Sequence, residues 1–322
     1  MTLTVSESVT LDLATPTTFE IRPRYEGSNI CTWIGFKHVN YLVEEAVLNH
    51  LRQSGLLPGT VYETYGLCTD IVDIDTRILH AFHIDDVAVA EVKPHRKAKD
   101  GEILLAVTLH VQRETLLKAV TSTVRVQLRL DPRGGGEKPA PAALAPYAVD
   151  TLHATPAWKV EAPRVDLGAD DLTKELTAGR NAFAWKFRIP YWYCHFTERI
   201  QMSGYLRLME EAKDQLVASR GVSIKTLLDE QNWIPVVPHS RITVLDEARM
   251  EEDLYVVITV ENVFKGFTYD SRMDTYVVRD GELLHTATGQ ITHGYAVIEN
   301  RADWSLVPFD DRMNAALEGK QA

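Results

Sequence analysis

One helix-forming stretch occurs twice in the chain, and no other feature constrains the fold as much. At a constant offset of 166 residues (44 to 210), Glu44-Glu45-Ala46 of GFKHVNYLVEEAVLNHLRQSGL falls on Glu210-Glu211-Ala212 of SGYLRLMEEAKDQLVASRGV. The same offset carries Gly55 onto Gly221, Tyr25 onto Tyr191 and Arg22 onto Arg188. In the first copy Val39, Leu42, Val43, Ala46, Val47 and Leu51 recur at helical spacing; in the second, Tyr205, Leu208, Met209, Ala212 and Leu216 do so. Gly55 and Gly221 follow the last apolar turn, where a left-handed C-terminal cap favours glycine. The sequence therefore predicts a duplicated domain, each half with one long amphipathic helix entered from a short strand and followed by β-rich sequence.

Length supports two units. A chain of 322 residues exceeds one ordinary core, and the expected division is 1–150 and 151–322. Hydrophobic residues at 45% and charged residues at 25% are globular values. No apolar run approaches the roughly 20 residues of a membrane span, and MTLTVSESVT lacks a basic-then-apolar export signal. Cys31, Cys68 and Cys194 have no ligand spacing, so free thiols, no metal and a cytoplasmic setting are expected. The net charge of −11 argues against a nucleic-acid or anionic-membrane partner.

Along the chain, residues 1–18 read as a loose arm and TTFEIRPRYEG as a strand running into an aromatic, glycine-containing loop. After the first long helix, Pro58-Gly59 open a short second helical turn. DIDTRILHAFHID, DVAVAEVKPHR, EILLAVTLHVQRETL and LKAVTSTVRVQLRL read as strands, with Asp100-Gly101 at a hairpin tip. DPRGGGEKPAPAALAPYAV reads as a linker with little structure of its own, and Gly134–Lys138 as no phosphate loop, because no strand-to-helix transition frames it. The second half repeats the plan, with Asp280-Gly281 at another tip and a closing strand or turn and short helix after Ala302. One helix against about five antiparallel strands, twice, is an α+β arrangement.

The Glu-Glu-Ala helices, the aromatic-glycine loops before them and the strands after them resemble the tandem, or double, hot-dog fold over nearly the whole chain. That resemblance implies antiparallel sheets each wrapped around a central helix. It also implies work on acyl thioesters of coenzyme A or acyl carrier protein between two units, where a helix N-terminus points N–H groups at the thioester carbonyl. Hot-dog thioesterases commonly carry an acid just before or within the helix, and dehydratases a histidine and an acid. Neither Trp33–His38 nor Gln201–Gly204 contains the usual aspartate. Glu44-Glu45 and Glu210-Glu211 can serve, or form one solvated and one structural carboxylate each.

The halves differ most after the helix, where Tyr62 falls on Leu228. With SGLLPGTVYETYG and the double plan, the chain is similar to the bifunctional acyltransferase/decarboxylase family of leinamycin biosynthesis. That resemblance implies Tyr62 as the catalytic residue, as nucleophile or as hydrogen-bond donor. The implied reaction decarboxylates methylmalonyl-CoA and passes the propionyl group to the phosphopantetheine arm of an acyl carrier protein during polyketide β-branching. Coenzyme A thioester is then substrate, and no permanently bound cofactor is expected. As nucleophile, a phenol of pKa about 10 needs a base or cation beside it. His38 and Asn40 at the first helix's start are candidates to orient the acyl group or to cap the helix. His285, Thr288 and Gln290 line a site across the interface or belong to an edge strand. Lys93, Arg96 and Lys97, in the basic run KPHRKAK, are candidates to meet CoA phosphates or a carrier protein, or are solvated surface. The alternatives are an acyl-CoA or acyl-carrier thioesterase, a dehydratase, or a non-catalytic acyl-thioester-binding module. A homodimer is among the expected assemblies.

Overall fold

The structure is a computed structural model and describes residues 11–133, 136, 138–161, 163–195, 197–299 and 304–319. The first ten residues of the expected arm, Gly134, Gly135 and Glu137 of the linker, and Ala302 and Asp303 of the closing segment lie outside the described residues.

In the first half come strand β1 (Thr17–Ile21), helices α1 (Phe36–Gln53) and α2 (Pro58–Tyr65), and strands β2 (Leu67–Ile78), β3 (Ala88–Pro94), β4 (Ile103–Gln112), β5 (Leu116–Leu130) and β6 (Ala148–Val149). Helix α3 (Leu172–Thr177), strand β7 (Ala182–Arg188) and helices α4 (Met202–Ala218) and α5 (Ile224–Gln231) follow. Strands β8 (Trp233–Val244), β9 (Asp253–Phe264), β10 (Thr268–Arg279), β11 (Glu282–Ile298) and β12 (Trp304–Leu306) precede helix α6 (Asp311–Leu317). The predicted helical stripes are the buried faces. Val39, Val43, Ala46, Val47 and Leu51 of α1 are inaccessible to solvent, as are Leu208, Met209, Ala212 and Leu216 of α4. Each large aliphatic side chain buried this way contributes about 1.5–3 kcal/mol. Gly55 (φ 90°) and Gly221 (φ 88°) close the two helices in the left-handed conformation that a side chain would strain.

Ten strands form an antiparallel sheet in the order β1-β3-β4-β5-β2-β8-β11-β10-β9-β7, with β12 pairing with β11 and β6 with β5 off that path. Each half of that order wraps one long helix, and the halves join where β2 pairs with β8, from Asp73↔Thr243 to Arg77↔His239. The central pair is Asp75↔Arg241, which are equivalents under the repeat (75 + 166 = 241), so a pseudo-twofold axis runs between them. This is the double hot-dog architecture. The junction is polar: Arg241 Nη2 lies 3.0 Å from Asp73 Oδ2, and His239 Nε2 lies 2.8 Å from Asp75 Oδ1. Tyr41 and Arg207, also equivalents, meet where the helices cross, Arg207 Nε donating to Tyr41 Oη at 3.1 Å. Tyr41 Oη in turn donates to Ser203 O at 3.2 Å.

The described part of the connection between the halves is better ordered than its composition predicts. Leu144 and Leu152 are buried, β6 pairs parallel with β5, and α3 lays Leu172 and Leu176 over Val257 and Tyr276 on the outer face of the sheet. Sparse but well-placed leucines anchor the segment despite its prolines. Among the described residues no helix is long and apolar enough to cross a membrane.

Candidate active site

The pseudo-twofold axis generates two clefts of nearly equal size, about 520 and 530 Å³. Each is built from the start of one long helix, the middle of the other, and the short helix and strand that follow the latter. One takes Gly35 and Phe36 at the start of α1, with Glu210 and Asp214 of α4, Ile224 of α5 and Pro235–Val237 of β8. The other takes Gln201 and Met202 at the start of α4, with Glu44 and Leu48 of α1, Pro58 of α2 and Thr69–Ile71 of β2. These wall residues correspond one to one at the offset of 166. Both helices start without a side-chain cap, at Gly35 and at Gln201. Each cleft therefore has a helix N-terminus on its wall, with amide donors and a partial positive charge available to a carbonyl oxygen.

The equivalent carboxylates in the two clefts have different surroundings. Glu210 is ion-paired with Lys37 at 2.5 Å. The position equivalent to Lys37 is Ser203 (37 + 166), so the second cleft has no such lysine for Glu44. Glu44 Oε2 is buried with no hydrogen-bond partner, and burial, helped by the charge of Glu45, pushes its carboxyl up to about 7. A carboxyl group that is half ionised near neutral pH suits general acid–base work. The second glutamate of each doublet is outside the clefts: Glu45 accepts from Arg52 Nη1 at 3.0 Å and Glu211 from Gln215 Nε2 at 2.6 Å.

Behind Glu44 lies a charged wall that the other cleft lacks. Asp70 is buried and accepts from Arg199 Nη2 at 3.1 Å; Arg199 Nε lies 3.8 Å from Glu247 Oε1, which Arg129 Nε also meets at 2.8 Å. The equivalents of Asp70, Arg199 and Glu247 in the apolar cleft are Val236, Trp33 and Ala81. His195 lines the polar cleft; burial holds its pKa down and the ring neutral, while Asp70 pulls the other way. Burial and Asp70 push the neighbouring Cys68 thiol far up, so it is no nucleophile. Among the described residues no cluster of three or more His, Cys, Asp or Glu side chains is placed to hold a metal ion.

Tyr62 belongs to the same cleft's neighbourhood but does not line it. It sits in the last turn of α2, whose first residues Pro58, Gly59 and Thr60 do. Its hydroxyl donates to Asp131 Oδ2 at a long 3.5 Å. Arg133 holds Asp131 as an ionised carboxylate against the effect of burial, through its backbone N–H and its charge. Burial and then Asp131 raise the Tyr62 phenol above its ordinary value, opposite to the shift that a phenolate nucleophile needs.

The other candidates fall elsewhere. His38 packs on Gly27 and faces Glu26, its Nε2 3.7 Å from Glu26 Oε1. Asn40 is buried; its Nδ2 donates to Phe36 O at 3.0 Å and to Ser240 Oγ at 3.3 Å, and its Oδ1 accepts from Thr76 at 2.7 Å. It neither caps the helix nor lines a cleft, and instead ties α1 to both halves of the sheet. His285, Thr288 and Gln290 share the sheet face away from α4. Thr288 donates to Asp274 at 2.7 Å, His285 Nε2 lies 3.2 Å from the same carboxylate, and Gln290 donates to Glu261 at 3.3 Å. Lys93, Arg96 and Lys97 are exposed, and Lys93 pairs with Glu91 at 2.7 Å. The register Ile103↔Val126 and Ile71↔Val126 puts their hairpin at the polar-cleft end of the sheet, roughly 10–15 Å away by strand spacing.

Asp70, His195, Arg199 and Glu247 were not singled out from the sequence. Asp70 stands more than a hundred residues before the other three, and their spacing forms no motif. A usable signal did exist in the repeat: charged residues in one copy stand opposite Val236, Trp33 and Ala81 in the other.

No protein-family model and no curated protein matches the sequence. Solved structures do match in fold. A protein described as an oleoyl thioesterase from Lactobacillus plantarum aligns with TM-score 0.59 and 11% identity, covering 89% of this chain and 97% of that one. An acyl-ACP thioesterase from Bacteroides thetaiotaomicron aligns with TM-score 0.53 and 6% identity, over 86% and 97%. The 12:0-ACP thioesterase from Umbellularia californica aligns with TM-score 0.53 and 11% identity, over 86% and 93%. At these identities the likeness establishes the double hot-dog fold.

Proposed function

We propose that this chain is an enzyme acting on acyl thioesters, working at the polar cleft and using Glu44 as its general base. The observation that carries this reading is the Glu44/Glu210 contrast: Glu210 is paired with Lys37, whereas Glu44 Oε2 is buried without a partner and burial pushes that carboxyl up to about 7. In the reaction the thioester carbonyl lies against the uncapped start of α4, whose N–H groups stabilise the oxyanion. Glu44 takes a proton from water as the water oxygen attacks the carbonyl carbon; the tetrahedral intermediate then collapses, the C–S bond breaks, and the thiol leaves with the proton. His195, kept neutral, borders the same space. That the structural neighbours with the same full-length fold are described as thioesterases supports hydrolysis. Coenzyme A or a carrier protein's phosphopantetheine arm is the thiol, and Lys93, Arg96 and Lys97 stand at the right end of the sheet to meet phosphates or an acidic carrier.

A second reading is favoured by Tyr62, a phenol against Leu228 of the other half, and by the resemblance to the decarboxylating acyltransferases. In it methylmalonyl-CoA loses CO₂ at the same cleft, and the enolate is held at the α4 N-terminus and reprotonated. The carrier thiol then attacks the propionyl carbonyl, the C–S bond to coenzyme A breaking and coenzyme A leaving with the thiol's proton. With its pKa raised, Tyr62 acts there as a hydrogen-bond donor, not as a phenolate. One experiment separates the two. Purified protein is incubated with acetyl-, dodecanoyl- and methylmalonyl-CoA, with and without a phosphopantetheinylated carrier protein, and the products are read by mass spectrometry. Free acid plus thiol is the expected result. Propionyl-carrier with CO₂ release establishes the second reading, and absence of turnover with every thioester overturns both.

A further inference from the structure

We propose that the apolar cleft is a second binding site, non-hydrolytic, for the uncharged acyl chain of a thioester or amide. It keeps the volume and the placement of the polar cleft, about 520 Å³ at the start of an uncapped helix, within the range of small-molecule pockets (~300–1,000 Å³). It keeps an uncapped helix start and a glutamate, but that glutamate is paired with Lys37 and the other cleft's polar wall is gone. Val236 replaces Asp70, Trp33 replaces Arg199 and Pro235 replaces Thr69 on its wall. Its remaining charges cancel locally, Lys37 against Glu210 and the buried Lys213 against Asp214 at 2.7 Å. A malonyl-type carboxylate would find no unpaired cation there, whereas an alkyl chain would replace water along mostly apolar walls. The mouth fits the same occupant: Ile30, Leu79 and Leu306 are 41%, 54% and 40% exposed around it. An acyl carbonyl would lie toward Gly35 and Phe36, as its counterpart does toward Gln201 and Met202.

The probe is N-dodecanoyl-pantetheine, in which an amide replaces the thioester so that nothing can be hydrolysed, titrated into the full chain by calorimetry with and without excess coenzyme A. Saturable binding of one probe per chain that survives coenzyme A is expected. Leu79→Asp, at the exposed mouth, and Val236→Trp, filling the cavity, should each weaken it at least tenfold. Acetyl-CoA turnover should stay within about twofold in both variants. No saturable binding overturns the proposal. Binding that coenzyme A displaces and that neither variant changes also overturns it, by placing the probe in the polar cleft. The binding measurement needs no enzymatic activity, so its outcome is independent of whether the polar cleft hydrolyses thioesters.

Discussion

The two clefts of this molecule are built on the same scaffold and share a glutamate, but most of their other wall side chains differ. Both have an uncapped helix start, a glutamate from the facing helix, a short helix and a strand. In one, the glutamate meets Lys37 and the walls are valine, proline and tryptophan. In the other, the glutamate's Oε2 is buried without a partner, serine stands where the first cleft has Lys37, and the Asp70–Arg199–Glu247 array lies behind. Duplication provides two equivalent clefts in one chain, and the contrast between them is what the proposed assignment to the polar cleft rests on. The fold places an uncapped helix start in both clefts; the side chains around it make the two clefts chemically different.

The largest expected effect breaks the symmetry at its centre. Glu44→Gln should lower thioester turnover by roughly 10²–10⁴-fold with the fold retained, the range for a lost general base. Glu210→Gln should stay within about threefold, because its carboxylate serves only Lys37. Steady-state kinetics on both variants reads this directly.

A second change copies one cleft onto the other. Ser203→Lys places a cation where Lys37 stands in the apolar cleft, and an opposite charge at that range lowers a carboxyl pKa by about 1–3 units. The rising limb of the pH–rate profile should move to lower pH by about one unit or more, with a slower maximal rate because the base is weaker. An unmoved limb would mean that Glu44 does not set it.

How much of this was visible in the sequence differs between fold and site. The helices were, because Val39, Val43, Ala46 and Val47 follow a 3.6-residue period and the offset of 166 repeats it. So were the hairpin tips: Gly101 (φ 78°), Asp280 (φ 53°) and Gly281 (φ 78°) occupy the conformations their residue types favour. The doublet Glu44-Glu45 was noticed, but which of the two is buried depends on the approach of the second half, which no local pattern encodes. The charged wall is invisible for the same reason, since Asp70 and Arg199 meet only once β2 and the loop before α4 are folded against each other. Asn40 misled in the opposite sense: a polar residue near a helix start reads as a cap, yet here it is consumed by Phe36, Thr76 and Ser240.

Smaller effects sharpen the account at the edges of the polar cleft. Tyr62→Phe should leave hydrolysis within about threefold, because the phenol does not line the cavity. A loss of roughly 10²–10³-fold in carrier-dependent transfer, that of an oxyanion donor, would show that the phenol turns from Asp131 into the cleft and would favour the second reading. Reversing Lys93, Arg96 and Lys97 to glutamate should raise KM for CoA thioesters several-fold with kcat unchanged. Added salt should weaken the parent in the same direction, since exposed charges are screened within about 10 Å at 0.1 M.

The pH dependence of kcat/KM for a neutral acyl-CoA, compared across the parent, Glu44→Gln and Glu210→Gln, tests the central claim most directly. With its pKa raised from the usual carboxyl value to about 7, Glu44 is protonated and inactive as a base below that pH and ionised above it. The parent and Glu210→Gln should therefore show activity rising with pH through about 7, and Glu44→Gln should show a low rate without that limb. A limb that persists in Glu44→Gln, or one that disappears in Glu210→Gln instead, would contradict the assignment of chemistry to the polar cleft.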